Sequence, residues 1–177
     1  RNRAEQYPDT RVQDGQEYHL VRSRLQVHYS ESPETAIETF EAYLAREDAQ
    51  RNDAIRYGLA VAYQESRRYD QAEQLMRELL KANPGRITFQ VSLAEVLISQ
   101  KRFADARALM QEALARNPGN YPITSTLAAI EIADGNGAAA ADHLRELTRR
   151  LPSQEQLWLR LAEAEGMARN IVGVHRA

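Results

Sequence analysis

A chain of 177 residues suits one domain, and 43% apolar with 27% charged side chains is the make-up of a packed polypeptide rather than a disordered one. The 23 Lys and Arg stand against 25 Asp and Glu, a formal net charge of −2, which gives no electrostatic reason for a nucleic-acid or anionic-lipid partner. With 0 cysteines, disulfides and thiolate metal sites are excluded, and no apolar run approaches the ~20 residues of a membrane-spanning helix.

In chain order, Arg1 to Tyr7 suit the last turns of an upstream helix, broken by Pro8-Asp9-Thr10 and by a further turn at Asp14-Gly15. Residues 1–15 read as a linker or the tail of an upstream domain, and 16–177 as one helical domain. The chain starts at Arg1 without Met, which is the expectation for a fragment. Leu20, Val21, Leu25, Val27 and Tyr29 recur at roughly helical spacing and predict a helix over Glu17–Tyr29. Ser32-Pro33-Glu34 opens the next helix, with Ser32 as N-cap and Pro33 first in the helix. Ala36, Phe40 and Tyr43 supply its apolar stripe.

From Asp53 onward one pattern is written three times. Pro84, Pro118 and Pro152 are 34 residues apart, and the same step links Leu59, Leu93, Leu127 and Leu161. It also links Ala60, Ala94, Ala128 and Ala162, and again Ala72, Ala106 and Ala140. Ala36 to Ala72 is 36 residues, so the copy over 17–50 is divergent, with about two extra residues near Glu47 to Gln50. The regular copies span 53–84, 87–118 and 121–152, and a partial copy spans 155–177.

The first regular copy carries the physics. Leu59, Ala60 and Tyr63 share one side of a first helix, and Tyr69, Ala72, Met76 and Leu79 form a stripe on a second. Glu65-Ser66-Arg67-Arg68 is the short polar turn between them. Ala60 and Ala72 are small where the helices cross, and a larger side chain costs about 1–3 kcal/mol of overpacking. Asn83-Pro84-Gly85 closes the copy, with Asn and Gly expected in the left-handed conformation; Asn117-Pro118-Gly119 repeats it, and Leu151-Pro152-Ser153 is a weaker version. In the third copy Asp134-Gly135-Asn136-Gly137 is the turn, and Ala138 to Ala141 begin a helix small enough for close approach. In the fourth, a first helix from Ser153 to about Ala168 carries Trp158, Leu161 and Ala162, and a second begins at Asn170. No copy buries its own stripes, so neighbours must stack.

A 34-residue period with Leu-Ala, a lone Ala and a closing Pro resembles the tetratricopeptide repeat (TPR) family. Trp158 falls where that motif most often has Trp. The resemblance implies an all-α TPR superhelix, a solenoid of antiparallel helix hairpins that presents a binding surface. It implies that the first helices line a concave face with repeat positions 2, 5, 9 and 12. That face would hold Tyr57, Val61 and Gln64, then Val91, Glu95 and Ile98, then Ser125, Ala129 and Ile132, then Leu159 and Glu163. Such a mixed strip fits an extended or helical segment with apolar anchors; singly, Val91, Ile98 and Leu159 also fit plain packing against neighbouring helices. Members that grip an acidic C-terminus carry Asn at position 6. Here that position is Gly58, Ser92, Thr126 and Arg160, which argues against a carboxylate clamp.

The flanks carry a narrower likeness. RNRAEQYP at the start, EYHLVRSRLQVHY over Glu17–Tyr29 and NIVGVHRA over Asn170–Ala177 resemble the C-terminal TPR region of BepA-type periplasmic zinc metallopeptidases, the beta-barrel assembly-enhancing proteases. That resemblance implies a periplasmic location and outer-membrane protein assembly and quality control. It implies partners among barrel-assembly components, unfolded outer-membrane proteins and the parent's own protease domain, with no nucleic acid and no membrane insertion. Catalysis would lie elsewhere: a zincin needs HExxH, whereas His19, His28, His143 and His175 are followed by Leu, Tyr, Leu and Arg. The fragment is therefore expected to carry no catalytic residue, no metal ligand and no cofactor, with zinc in the parent's protease domain. Arg67-Arg68 and Arg149-Arg150 read as solvated helix ends. The alternative is a generic TPR scaffold or self-associating module, suggested by apolar Ile171, Val172 and Val174 near the end.

Overall fold

The computed structural model describes residues 32–45 and 52–174, and of 170–174 only the helical backbone. The expectations for residues 1–15, the Glu17–Tyr29 helix, His19, His28, the insertion near Glu47 to Gln50, His175 and the side chains of Ile171, Val172 and Val174 lie outside this. Among the described residues there are eight helices and no strand, so the fold is all-α. Chain packing divides the protein into two compact units, Arg1–Arg67 and Arg68–Ala177.

In the first unit, α1 (Pro33–Leu44) packs on α2 (Asp53–Glu65). Ser32 accepts the Thr35 N–H at 3.3 Å, and Pro33, with no N–H to lose, is the first helical residue. Asn52 caps α2 through the N–H groups of Ala54 and Ile55, both at 3.1 Å. Ala36 and Ile37 are buried on α1; Phe40 and Tyr43 are half-buried. The Tyr63 hydroxyl donates to Glu41 Oε1 at 2.6 Å, tying α2 to α1. Glu65, expected on the turn, is the last residue of α2, and burial raises its carboxyl pKa.

The second unit is α3 (Tyr69–Ala82), α4 (Ile87–Ser99), α5 (Phe103–Arg116), α6 (Tyr121–Ala133), α7 (Gly137–Arg150) and α8 (Glu155–Val174). Each packs on the next, and α4 also meets α6. The helices α4, α6 and α8 begin at Ile87, Tyr121 and Glu155, in step with the period. Ala94, Ala128, Ala72, Ala106 and Ala140 are all 0% exposed, so the small side chains sit where helix backbones approach. Val96, Ile130 and Ala164, another set at the same period, are equally buried and were not singled out by the sequence pattern.

Helix ends correct two expectations. Asn83 and Asn117 are not left-handed: their φ values are −134° and −132°. Their amides instead donate back to the carbonyls of Leu79 and Ala113, at 3.3 and 3.2 Å, satisfying last-turn acceptors. The left-handed residues are Arg67, Lys101 and Gly135, at the tight turns, and Gly119. At Lys101 (φ 61°) its own N–H reaches Ile98 O at 2.9 Å and the Arg102 N–H reaches Leu97 O at 2.8 Å, the paired bonds of a Schellman closure. Gly135 repeats it through Ile132 O and Glu131 O. A side chain in that conformation costs about 1–2 kcal/mol. Lys101→Gly should therefore stabilise the fold by about 1 kcal/mol, read as a rise in the denaturant midpoint at unchanged slope.

The second correction concerns the fourth copy. No break occurs near Asn170; α8 is one 20-residue helix. Nothing from Gln154 to Val174 is a strong helix breaker: the segment has no Pro, and Gly166 and Gly173 are isolated.

Gly137, expected on the turn, is the first residue of α7. The earlier copies hold aromatic Tyr69 and Phe103 there. A Cβ on Gly137 would lie 2.5 Å from the Ala164 carbonyl oxygen, 2.7 Å from the Ala168 nitrogen and 2.7 Å from Met167 Cβ. Glycine thus lets α8 lie directly on the start of α7. Gly137→Ala should cost about 2 kcal/mol, because the obstacle is another helix's backbone; thermal unfolding measures it.

Polar junctions join the second-unit helices. Arg102 of the α4–α5 turn pairs with Glu73 of α3 at 2.7 Å, and Gln100 donates to Asp70 at 3.2 Å. Burial pushes the Glu73 carboxyl up, but hydrogen bonds from Arg77, Arg102 and Gln100 outweigh it and hold its pKa below the usual value. The stability this lends is present above the ordinary carboxylate pKa and is lost as pH falls through the depressed one.

Candidate partner-binding face

Residues at i, i+4 and i+7 of a helix share one face. On α4 these are Val91, Glu95 and Ile98; on α6, Ser125, Ala129 and Ile132. Because α4 and α6 are in contact, the two triplets belong to neighbouring helices. On α8, Leu159 and Glu163 hold the equivalent positions. The Arg160 guanidinium donates to Ser125 Oγ at 3.4 Å, linking α8 to the α6 triplet.

None of these side chains is fully buried. Val91, Ile98, Ser125, Ala129 and Ile132 are half-buried; Glu95 and Glu163 are exposed. Leu159 is 71% exposed, so packing within the unit does not account for it. Ile132 leans on the core cluster of Ala128, Ala140, Ala141 and Leu144, which fixes one edge of the strip. The neighbouring position is closed: Ser92 and Thr126 are buried, and the Thr126 hydroxyl donates to the Pro122 carbonyl at 2.8 Å. In the first unit, Tyr57, Val61 and Gln64 are half-buried along α2, and Gly58 is buried.

Apolar side chains at half exposure, flanked by two carboxylates, can take up the apolar face of a polypeptide segment and meet cations beside it. Among the described residues no three His, Cys, Asp or Glu side chains gather as a metal-binding set, and no helix is long and apolar enough to cross a membrane.

Sequence reasoning missed the polar seam behind this face. Arg107 on α5 donates to both carboxylate oxygens of Glu131 on α6, at 2.6 and 2.9 Å, and to Asp134 at 2.6 Å. Asn136 Nδ2 adds 3.1 Å to Glu131 Oε2. Glu131 is 4% exposed. The hydrogen bonds to Glu131 and then Asp134 raise the Arg107 pKa, so the guanidinium stays charged wherever the protein is folded. This seam holds α6, and with it Ser125, Ala129 and Ile132, against α5.

Comparison with known proteins agrees with the geometry. Tetratricopeptide repeat profiles match residues 29–87, 57–121 and 97–165. A Vibrio cholerae protein described as a beta-barrel assembly-enhancing protease is 33% identical over 85 residues, 48% of this chain and 18% of that protein. The chain thus spans under a fifth of that relative's length. Among solved structures, a tetratricopeptide repeat protein from Parabacteroides merdae superimposes with a TM-score of 0.71 at 17% identity, over 92% of this chain and 65% of that one. MamA from Desulfovibrio magneticus RS-1 gives 0.60 at 15% identity, over 92% and 97%. At these identities the structures show the fold.

Proposed function

Because the chain belongs to the tetratricopeptide repeat family, and so is a protein–protein interaction module, we propose that it is the partner-recruiting part of a periplasmic metalloprotease in outer-membrane protein assembly and quality control. The observation that supports the recruiting role is the first-helix strip, with Leu159 left 71% exposed on a folded surface. The parent's identity is supported by the Vibrio match together with the flanking RNRAEQYP and NIVGVHRA. On this reading the chain does no chemistry. Zinc and the HExxH motif sit in a protease domain of the parent, and this chain brings barrel-assembly components or unfolded outer-membrane proteins to it.

Site-specific photo-crosslinking in the full-length parent tests the reading. A crosslinker at Val91 or Leu159 should capture a barrel-assembly component or an unfolded barrel protein. One at Glu112, exposed on α5, should not. Equal capture from all three positions, or none, rejects the strip as the recruiting face. A parent reading frame without HExxH rejects the protease, leaving a general TPR scaffold.

A further inference from the structure

The end of the second unit offers a different surface. In α4 the residues one turn apart, Gln90, Ala94 and Leu97, are buried, and in α6 so are Thr124, Ala128 and Glu131. Their cover is the helix that follows in the same hairpin. α5 packs on α4 with Ala106 and Met110, each 0% exposed, and Ala128 shares one packed cluster with Ala140, Leu144 and Leu147 of α7. The equivalent stripe of α8 is Trp158, Ala162 and Glu165. Trp158 is 49% exposed, Ala162 is exposed and Glu165 is half-buried beneath Arg145, at 2.9 Å. A residue type that is fully buried in both preceding hairpins thus faces water here.

Trp158 is not loose. Its indole Nε1 donates to the Pro152 carbonyl at 2.9 Å, just as Gln90 Nε2 donates to Pro84 O at 3.1 Å. The ring is held by its polar edge with its apolar faces presented, the form of an interface anchor.

We propose that the Trp158–Ala162 face of α8 docks an amphipathic helix of another polypeptide. That helix would carry a small residue where it crosses Ala162 and large apolar residues four and seven places on, as α7 carries Ala140, Leu144 and Leu147. The interface continues, by one more step, the α4–α5 and α6–α7 packing already present. A second copy of this chain is a poor source: among the described residues its helices with that stripe, α5 and α7, already have it buried. This proposal is independent of the first-helix strip.

Trp158 is the single tryptophan, so it reports the event directly. The probe is a peptide of sequence 137–150, cross-linked between positions 142 and 146, which are exposed in α7, so that a short helix is stable in isolation. Titrated into the 177-residue chain, it should shift Trp158 emission to the blue with saturation. Ala162→Arg should weaken binding at least ~10-fold, since the added charge must be buried at the contact, without lowering the melting temperature, because Ala162 is exposed. The peptide carrying A140R should not bind. Binding undiminished by Ala162→Arg overturns the proposal. So does a mass that rises with concentration and is reset by Ala162→Arg, which assigns the face to a second copy. Emission already blue in the free chain, red-shifted by Ala162→Arg, assigns the face to the chain's own residues and equally overturns it.

Discussion

Ala94→Arg and Ala106→Arg each unfold the second unit at ordinary temperature, as loss of helical circular dichroism and of a cooperative melt. Both alanines are 0% exposed, one on α4 and one on α5, the two helices of a single hairpin. An arginine there adds a long side chain to a filled contact, about 1–3 kcal/mol, and leaves a guanidinium without a built partner, several kcal/mol more. Together these approach the whole ~5–15 kcal/mol stability of a small domain. Glu65→Ala, at an exposed helix end, changes stability by no more than ~0.5 kcal/mol. Melting temperatures within a degree or two for all three variants would mean the helix contacts are wrong.

Arg107→Ala destabilises by about 3 kcal/mol, because it strands the carboxylate of Glu131, 5% exposed at its side chain, with only Asn136 as a donor. The figure is set below the worst buried case because the Arg107 side chain is itself 26% exposed. Removing both charges is milder. Arg107→Ala with Glu131→Gln should recover more than half of the loss, since a neutral amide tolerates the site that a lone anion does not. Urea unfolding of the two single variants and the double variant gives the coupling directly. Additive losses would show that the pair is a surface contact of no consequence.

These two predictions separate what a single sequence displays from what it hides. Ala94, Ala128 and Ala106 are legible because each meets the same neighbour in the same geometry in every hairpin, so the constraint returns with the 34-residue period. Val91, Ile98 and Ile132 follow from that register by simple helical spacing. Glu131 is illegible for the opposite reason. Its partner lies 24 residues back on another helix, and the period-equivalents of Arg107 are Glu73 and Ala141. One junction is built on Glu73 with Arg102, the next on Arg107 with Glu131, and the third on glycine and alanine against α8. Chemistry that changes at each step has no period to betray it. Gly137 was hidden by its own turn-like neighbours, Asp134-Gly135-Asn136, and only the approach of α8 reveals its role. Asn83 shows the limit of residue statistics: it favours the left-handed region, yet a carbonyl one turn back offered its amide a better use. Ala162 carries the right residue for a buried contact and faces water, because burial belongs to the pair of helices and not to the residue.

The absence of cysteine makes thiol accessibility the most direct measurement. Ala94→Cys, Ala128→Cys and Ala162→Cys place one thiol each at the same position of three successive first helices. If small side chains let each hairpin close on itself while α8 stands open, the Ala162→Cys thiol reacts at nearly the rate of a free one. The other two react at least ~100-fold more slowly, only through transient opening. Similar rates at all three positions would contradict the account.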